Sequence, residues 1–406
     1  MMIRPVMLTL SLAVLTTGWA FAEDTPWSRH TIDASSRGAD GVRLADVNGD
    51  GRLDIATGWE EGGRIRVYLQ PASGAHLRRP WPAVTVGNVK SPEDAVFADL
   101  DGDGSIDVVS CCEGRERTVF FHWAPSRSQD YLDIAAWRTS AVPCTQKKQA
   151  WMFALPMDID NQFGIDLVVG SKGGGGSVGW LQAPKAARNV GDWTYHPIYR
   201  AGWIMSLEQL DVDEDGDADV VVSDRKGSSR GVLWLENPGP KGAAQHAPWT
   251  EHRIGADGME VMFLTIADID GDRRPDIVCA TRNKQIIVFR RAADSKVRWE
   301  SWGVDNPHAA PNGKAVRVAD VNLDGKVDLI HTVNNGGKRQ HRGAVWMSYG
   351  ESIRDKRWDV HDISGDRGVK FDLIQMLDVD RDGDLDLITC EERDNLGVFW
   401  YENPTR

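Results

Sequence analysis

The chain alternates short apolar runs with acidic turns, and this alternation recurs seven times after residue 27. Each repeat contains four stretches of strand-like length: an apolar stretch such as 371–377, a β-branched run such as 106–110, an aromatic stretch such as 397–404, and a stretch beginning with tryptophan such as 193–198. Runs of this kind between polar turns indicate β-strands. Because no window of comparable strength has a helical period, the pattern predicts an all-β protein.

The even spacing of the strands predicts four-stranded blades arranged around an axis. The seventh repeat lacks its fourth strand, whereas residues 27–32 form a fourth strand without a repeat of their own. We expect residues 27–32 to complete the last blade, because that pairing closes the ring and leaves no open sheet edge. The sequence therefore predicts a single seven-bladed β-propeller over residues 23–406.

The first 22 residues differ from the repeats. Arg4 precedes an apolar run over 6–15, and residues 20–22 form a small-x-small cleavage motif. This pattern predicts a cleaved signal peptide over residues 1–22. No other stretch approaches the length of a membrane span. We therefore expect a mature chain without a membrane span that is secreted, periplasmic or held at the cell surface.

A nine-residue acidic phrase, D-x-[DN]-x-D-G-x-x-D with small departures, follows the first strand of every repeat. It begins at Asp46, Asp99, Asp158, Asp211, Asp268, Asp320 and Asp378. Carboxylates at alternate positions of a tight turn bring hard oxygen ligands onto one point, which suits a divalent cation and calcium first. Glycine at position 6 permits a left-handed backbone there. We therefore predict several bound calcium ions, one in most repeats.

This phrase between two short strands resembles the FG-GAP/VCBS repeats of integrin α-subunit propellers and of many bacterial exported proteins. The resemblance covers essentially the whole chain after residue 22 and implies a seven-bladed propeller with calcium between the first and second strands of each blade. Together with the spacing, it implies side-chain ligands at positions 1, 3, 5 and 9.

We call these seven nine-residue segments acidic loops 1 to 7. In the loops with glycine at position 6, namely 1, 2, 4, 6 and 7, the implied ligands are Asp46, Asn48, Asp50, Asp54, Asp99, Asp101, Asp103, Asp107, Asp211, Asp213, Asp215, Asp219, Asp320, Asn322, Asp324, Asp328, Asp378, Asp380, Asp382 and Asp386. In loops 3 and 5 they are Asp158, Asp160, Asp166, Asp268, Asp270, Asp272 and Asp276.

Loops 3 and 5 depart from the phrase, and their occupancy stays open. Loop 3 has Gln162 at position 5 and Phe163 at position 6, and loop 5 has Arg273 at position 6. The closing acid at position 9 and the flanking strands exclude a helical EF-hand. Because no histidine recurs in the loops, we expect the calcium ions to stabilise the fold rather than to react.

The formal charge of −13 is consistent with acidic loops and excludes a basic nucleic-acid-binding protein. Five cysteines are an odd number for an exported chain. We expect Cys279 and Cys390 to be small buried side chains. A bridge from Cys144 to either Cys111 or Cys112 stays open.

The turns of an up-and-down blade divide between two faces of the ring. The acidic loops share one face with the turns between the third and fourth strands, so the more variable loops and the crossings between blades lie on the opposite face. Binding sites concentrate on loops held by a rigid frame. Trp59, Trp151 and Trp203 map to this opposite face and could offer exposed platforms to a sugar ring, or each could instead cap a neighbouring blade.

A second set of candidates occupies the sixth position after each closing aspartate. It consists of Glu60, Glu113, Lys172, Arg225, Arg282, Asn334 and Glu392. We expect these residues to form a mixed ring on the face opposite the acidic loops, where they could grip a polar ligand. The alternative is that they are ordinary solvated loop tips.

These candidates favour a calcium-binding propeller that binds a carbohydrate or an extracellular protein. The alternative is a sugar-active lyase or dehydratase, which rests on the occurrence of similar propellers in polysaccharide lyases and, more loosely, in the aldos-2-ulose dehydratase group. A lyase would bring an acid, a Lys or Arg, and His331 or His341 into one pocket. The recurring His30, His196, His252 and His361 belong to the fourth-strand phrase, and we expect them to be structural.

Overall fold

The computed structural model describes residues 25–306, 312–334 and 342–406. Over these ranges the protein forms seven antiparallel sheets of four strands each, which are the blades of a seven-bladed propeller. The predicted all-β fold is therefore confirmed. The predicted signal peptide and His341 lie outside the described residues.

Blades 1 to 6 each consist of four consecutive strands. Blades 1 and 2 contain β2 (Ala39–Ala45), β3 (Asp54–Trp59), β4 (Arg64–Tyr68), β5 (Ala83–Gly87), β6 (Pro92–Ala98), β7 (Asp107–Cys112), β8 (Val119–Trp123) and β9 (Arg138–Ala141). Blades 3 and 4 contain β10 (Ala150–Met157), β11 (Asp166–Lys172), β12 (Ser177–Gln182), β13 (Thr194–Arg200), β14 (Ile204–Leu210), β15 (Asp219–Asp224), β16 (Gly231–Glu236) and β17 (Thr250–Gly255). Blades 5 and 6 contain β18 (Val261–Ala267), β19 (Asp276–Thr281), β20 (Gln285–Arg291), β21 (Trp299–Asp305), β22 (Gly313–Ala319), β23 (Asp328–Val333), β24 (Ala344–Ser348) and β25 (Asp359–Asp362).

Blade 7 combines the two ends of the described chain. It contains β26 (Phe371–Leu377), β27 (Asp386–Glu391), β28 (Gly397–Glu402) and β1 (Ser28–Asp33). β1 pairs antiparallel with β28, so that His30 lies opposite Trp400. His30 Nε2 is 2.6 Å from Glu402 Oε2, and the Trp27 amide donates to the Ile363 carbonyl of blade 6 at 3.0 Å. The predicted closure of the ring by residues 27–32 is confirmed.

Helical structure is confined to short turns in the described ranges. One α-helix, α1 (Gly239–Ala244), lies between β16 and β17. The 3-10 turns are Gly74–His76, Ser128–Asp130, Ile134–Ala136, Pro143–Thr145 and Val190–Asp192. No helix in the described part of the chain is both long and apolar enough to cross a membrane.

The recurring tryptophans and histidines form cross-strand stacks. Trp234 on β16 lies opposite His252 on β17, and their rings stack with centroids 4.2 Å apart. Trp346 and His361 repeat the arrangement at 3.7 Å. The His30–Trp400 and His196–Trp180 pairs are more tilted, with centroids 4.7 and 5.0 Å apart. The four histidines are therefore part of the packing, as predicted.

The cysteines are all free thiols. Cys279 and Cys390 are buried, as predicted. Cys111 and Cys112 are buried within β7, whereas Cys144 lies in a separate 3-10 turn and is half-buried. The open possibility of a bridge from Cys144 is thus not realised.

The first strand of every blade lines the axis. Each first strand contacts the first strands of both neighbouring blades, which closes a ring of seven inner strands. Residues on these strands alternate between the channel and the blade interior. Two faces result: the loop face, which carries the acidic loops, and the funnel face, where the second strands end.

Candidate functional site

Each acidic loop occupies the same place in its blade. Its first aspartate directly follows the first strand, and its closing aspartate is the first residue of the second strand, as with Asp99 and Asp107 around β6 and β7. The loops therefore present seven equivalent acidic turns on one face, as the spacing predicts.

Two residues of each loop adopt a left-handed backbone. At position 6 the φ angles range from 61° for Phe163 to 101° for Gly216. At position 4 they range from 55° for Asn161 to 78° for Gly271. Glycine at position 6 thus adopts the left-handed backbone conformation that the sequence predicts. Phe163 and Arg273 adopt the same conformation without glycine, so loops 3 and 5 keep the shape of the turn.

Replacing Phe163 by glycine should stabilise the protein. A left-handed conformation costs a residue with a side chain about 1–2 kcal/mol. Glycine avoids this cost, but the larger backbone entropy that it loses on folding offsets part of the gain. Because the Phe163 side chain is 55% exposed, little packing is lost. We expect Phe163→Gly to raise the free energy of unfolding by about 0.5–1 kcal/mol in urea titrations. Phe163→Ala keeps the Cβ atom and should give no gain; an equal gain in both variants would contradict this explanation.

The first and closing aspartates tie each loop to its blade. In loop 1, Asp46 Oδ1 accepts from the Gly49 amide at 2.8 Å and Asp46 Oδ2 from the Gly51 amide at 2.8 Å. In loop 2, the closing Asp107 accepts from the Leu100 amide at 3.2 Å and from the Ala124 amide, beyond β8, at 2.7 Å. Closing aspartates in the other loops accept a loop amide in the same way.

Several carboxylate oxygens in loops 2, 4 and 7 are buried without a hydrogen-bond donor among the described residues. These atoms are Oδ1 of Asp99 and Asp380, which are implied ligands, and Oδ1 of Asp217 and Asp384, which lie at position 7 of loops 4 and 7 outside the implied ligand positions. Burial, opposed by two amide donors and reinforced by Asp101, raises the pKa of Asp107 to about 7. Buried oxygens without donors are costly. A cation among them would satisfy them and offset the repulsion, so the donor sets of these loops fit calcium.

Loop 5 fits a cation less well. Arg274 Nη2 donates to Asp272 Oδ2 at 2.6 Å, and Arg290 contacts both Asp270 and Asp272. Two guanidinium groups therefore already neutralise two of its implied ligands. In loop 3, the Gln182 amide donates to Asp160 Oδ2 at 2.7 Å. Contacts from other blades also reach loops 2 and 7, where Arg188 and Arg78 pair with aspartates.

A cavity of about 350 Å³ opens at the centre of the funnel face, and we call it the funnel. All seven residues predicted from the sixth position after the closing aspartate line it. We call these residues the upper ring: Glu60, Glu113, Lys172, Arg225, Arg282, Asn334 and Glu392. The mixed polar ring expected from the sequence is therefore present, and its members share one concave surface rather than separate loop tips.

A second ring lies at the position six residues before each acidic loop. We call it the lower ring: Asp40, Glu93, Met152, Met205, Met262, Lys314 and Asp372. All but Asp372 line the funnel, and Asp372 Oδ2 is 2.7 Å from Lys314 Nζ. The methionines come from blades 3, 4 and 5, and the charged residues from blades 6, 7, 1 and 2. The funnel is thus divided into a methionine side and a charged side.

The two rings are divided in the same sense. Cations of the upper ring, Lys172, Arg225 and Arg282, come from the same blades 3 to 5 as the methionines. All three acids of the upper ring, Glu60, Glu113 and Glu392, come from blades of the charged side. Lys172 bridges the two sides, since its ammonium contacts Glu113 and lies 3.4 Å from Glu93 Oε1. Lys370, just outside the rings, pairs with Glu392.

Buried carboxyl groups on the charged side have shifted pKa values. Burial, with the neighbouring Asp372 and Glu93 charges, holds the pKa of Asp40 well above its usual range. Burial alone would raise the pKa of Asp372, but the Lys314 ammonium and a hydrogen bond from Asp40 lower it. These opposite shifts favour the neutral form of Asp40 and the ionised form of Asp372, whose carboxylate lies beside Lys314.

Glu93 is a second protonatable group in the funnel. Burial raises its pKa to about 8, Lys172 opposes the shift, and Glu113 and Glu60 reinforce it. Burial, with the Glu113 charge, also raises the pKa of Glu60. The charged side therefore holds carboxyl groups that can donate a proton near neutral pH.

Of the two alternatives left open for the three tryptophans on this face, capping rather than an exposed platform applies to Trp59 and Trp151. Trp59 and Trp151 are fully buried, and their indole Nε1 atoms donate to the Tyr68 hydroxyl at 2.9 Å and the Thr145 carbonyl at 3.1 Å. Both lie on strands with the ring turned into the blade packing, so they cap the sheets instead of facing solvent. Trp203 is half-buried and lines the funnel.

Trp203 carries cations on its indole ring. Lys172 Nζ lies 4.5 Å and Arg225 Cζ 4.4 Å from the ring centroid. Both distances fall within the cation–π range. The ring therefore positions two upper-ring cations rather than lying bare for a sugar.

His331, a candidate for a catalytic pocket, is not part of the funnel. It is fully buried, and its Nδ1 lies 2.9 Å from the Ala315 carbonyl. Burial lowers its pKa to about 4, so the imidazole is neutral. Its position on β23 places it between blades.

The lower ring, with Lys370 and Arg393, was not among the residues predicted from the sequence. Its signal is present, because aligning the repeats on the first aspartate of each loop puts all seven lower-ring residues in one column. Three of the seven are methionines inside apolar runs, which look like ordinary core residues. Only the charged members stand out.

Comparisons with known proteins agree with the repeat and the fold. A family model described as an FG-GAP-like repeat matches residues 46–110 and 227–331, which include acidic loops 1, 2, 5 and 6. No curated protein matches the chain.

Solved structures share the architecture at low sequence identity. The crystal structure of BBS1N in complex with ARL6DN, soaked with mercury, matches with a TM-score of 0.53 and 12% identity over 93% of this chain and 97% of that chain. Sqt1 of Saccharomyces cerevisiae matches with a TM-score of 0.51 and 10% identity over 95% of this chain and 100% of that chain. At such identities the likeness concerns the fold alone. This chain is a seven-bladed β-propeller that carries FG-GAP-like repeats.

Proposed function

We propose that the protein is an exported, calcium-stabilised binding propeller whose funnel binds a carbohydrate. The observation that carries this proposal is the convergence of the upper and lower rings on one cavity of about 350 Å³. Cavities of roughly 300–1,000 Å³ suit small ligands. Export is supported by the signal-peptide pattern of residues 1–22 and calcium by the oxygens without donors in loops 2, 4 and 7.

The chemistry of the funnel favours a hydroxyl-rich ligand. Ionised carboxylates accept hydrogen bonds, whereas Lys and Arg donate them. A sugar hydroxyl does both, so neighbouring hydroxyl groups can bridge an acid and a cation such as Glu113 and Lys172. The methionines beneath offer apolar contact to ring carbons. A folded protein partner would not reach the lower ring. Because BBS1N was crystallised in complex with ARL6DN, a protein partner is nevertheless the alternative that the experiments must exclude.

Changing Trp203 to alanine should weaken carbohydrate binding about tenfold. Losing the ring removes the support of Lys172 and Arg225, and cation–π contacts contribute up to about 2 kcal/mol when desolvated. A glycan array followed by titration calorimetry on its strongest hit measures the effect. Trp302→Ala is the matched control, because Trp302 is also half-buried with a guanidinium, Arg354, 4.7 Å from its ring centroid, but lies on an outer strand. Equal losses in both variants, or an array without any hit, would contradict the proposal.

A second candidate function is a sugar lyase, and the protonatable Glu93 favours it. A carboxyl group with a pKa of about 8 beside the Lys172 amine can donate or accept a proton near neutral pH. Elimination leaves an unsaturated product that absorbs in the ultraviolet. The array hits serve as substrates: product formation by the wild type that Glu93→Gln abolishes would make the protein an enzyme, and unchanged substrate would leave it a binder.

A further inference from the structure

Two arginines of the upper ring share a single carboxylate. Arg225 Nε lies 3.5 Å and Arg282 Nε 3.6 Å from the same oxygen, Glu260 Oε2. Lys226 already donates to the other oxygen of Glu260. Among the described residues, three cations therefore surround one anion, which leaves this cluster with an excess of two positive charges.

The hydrogen bonds of this cluster are incomplete. N–H···O bonds usually span about 2.7–3.2 Å, so neither Nε atom is well bonded to Glu260. Arg225 Nε is buried and has no hydrogen-bond partner in the described part of the chain. Arg282 Nη2 donates to Asn312 Oδ1 at 2.7 Å. Burial, together with the Arg282 charge, lowers the pKa of Arg225, and Glu260 opposes this shift only in part.

Three other cations in the funnel have acidic partners. Lys172 contacts Glu113, Lys370 pairs with Glu392, and Lys314 Nζ lies 2.7 Å from Asp372 Oδ2. Within blades 3 to 5 the positive excess is thus confined to the Arg225–Arg282 pair, whereas Arg393 of blade 7 lines the funnel as a further cation. This pair belongs to blades 4 and 5, whose lower-ring residues are Met205 and Met262.

We infer that Arg225 and Arg282 form an anion subsite that binds the carboxylate or sulfate group of an acidic sugar. Guanidinium groups bind oxyanions through paired, charge-assisted hydrogen bonds. An oxyanion between the two arginines would take up the donors that Glu260 leaves unsatisfied, while Met205 and Met262 contact the carbons of the sugar ring. This inference rests on the proposed carbohydrate function and names the class of sugar.

A glycan array with carboxylated, sulfated and neutral members tests the anion subsite separately from the carbohydrate function. We expect the hits to be acidic glycans, and the relative strength of the carboxylated and sulfated members to identify the group that is bound. Hits confined to neutral glycans would overturn the anion subsite and leave the carbohydrate function standing. An array without hits would overturn the carbohydrate function and, with it, the acidic sugar.

Variants of Arg225, Arg282 and Glu260 are expected to change the affinity for an acidic glycan in opposite directions. Arg282→Gln and Arg225→Gln should weaken binding of the best acidic glycan at least about tenfold, since each removes a charge-assisted hydrogen bond. Glu260→Gln should instead tighten it several-fold, because it removes the competing carboxylate. Arg354→Gln is the matched control, since Arg354 also lies over a tryptophan but outside the funnel. If Glu260→Gln weakens binding as much as the arginine variants, the cluster is merely structural.

A simple probe tests the subsite without any sugar. Sodium sulfate, compared with sodium chloride at equal ionic strength, should raise the melting temperature of the wild type and of Arg354→Gln more than that of Arg282→Gln. Equal shifts in all three proteins would overturn the subsite. A shift specific to the arginine pair combined with an empty glycan array would keep the oxyanion site and reject the sugar.

Discussion

Chelation of calcium should lower the melting temperature of the protein by about 10 °C or more. Loops 2, 4 and 7 contain carboxylate oxygens that are buried without donors among the described residues, and a bound cation would offset the cost of that burial. A site held at 100 times its dissociation constant contributes about 2.7 kcal/mol to stability, so three sites contribute about 8 kcal/mol. For a chain of this size, a loss of that order shifts the thermal transition by roughly 10 °C.

Thermal unfolding followed by circular dichroism, with and without EDTA, measures this effect. Calcium added back in excess should restore the transition, whereas magnesium should not, because it demands a smaller, near-octahedral site. A transition that EDTA leaves in place would show that the loops do not depend on a cation.

Variants at position 3 of two loops distinguish the loops from one another. Asp213→Ala in loop 4 should reduce the calcium content by about one ion per chain by elemental analysis. Asp270→Ala in loop 5 should leave the content unchanged, because Arg274 and Arg290 already neutralise that loop. The same loss in both variants would place calcium in loop 5 despite its arginines.

Removal of the residues up to Asp33 should abolish the cooperative unfolding of the propeller. β28 then loses its partner strand, and the buried Trp27 and Ile32 are absent from the core. Truncating large buried side chains costs about 2–5 kcal/mol each, so the combined loss approaches the whole stability of a typical domain. The unpaired edge of β28 also invites association with a second chain.

Calorimetry and size-exclusion chromatography follow the two consequences. We expect a broad, early transition and a dimer or larger species. A synthetic peptide of residues 25–33 should restore the sharp transition, whereas the same peptide with His30→Pro, which lacks a backbone donor, should not. A shortened chain that melts as sharply as the wild type would show that six complete blades suffice.

Much of the fold could be predicted because short sequence motifs mark the ends of the strands in every repeat. The acidic phrase fixes the end of the first strand and the start of the second, as at Asp99 and Asp107, and the tryptophan phrase marks the fourth strand. Because Lys172, Arg225 and Arg282 occupy the same position in successive repeats, the sequence predicts that they lie together on one face. Spacing therefore predicts which residues share a level of the ring.

Side-chain direction could not be predicted in the same way. Trp59 and Trp203 both lie outside the repeat pattern, yet one is packed inside a blade and the other lines the funnel. Trp59 is the last residue of β3, whereas Trp203 precedes β14 and forms an isolated bridge with Lys172. Met152 and Met205 are buried in the core and also border the funnel, and an apolar run in the sequence predicts only the first of these roles.

The position of β1 in the last blade has a consequence for biosynthesis. His30 meets Glu402 across 372 positions of the chain. During translation β1 therefore has no partner strand until β28 has been synthesised. Until then the ring of blades is not closed. Bringing such distant segments together is slow. During that interval the exposed strand is the segment on which a chaperone would have to act.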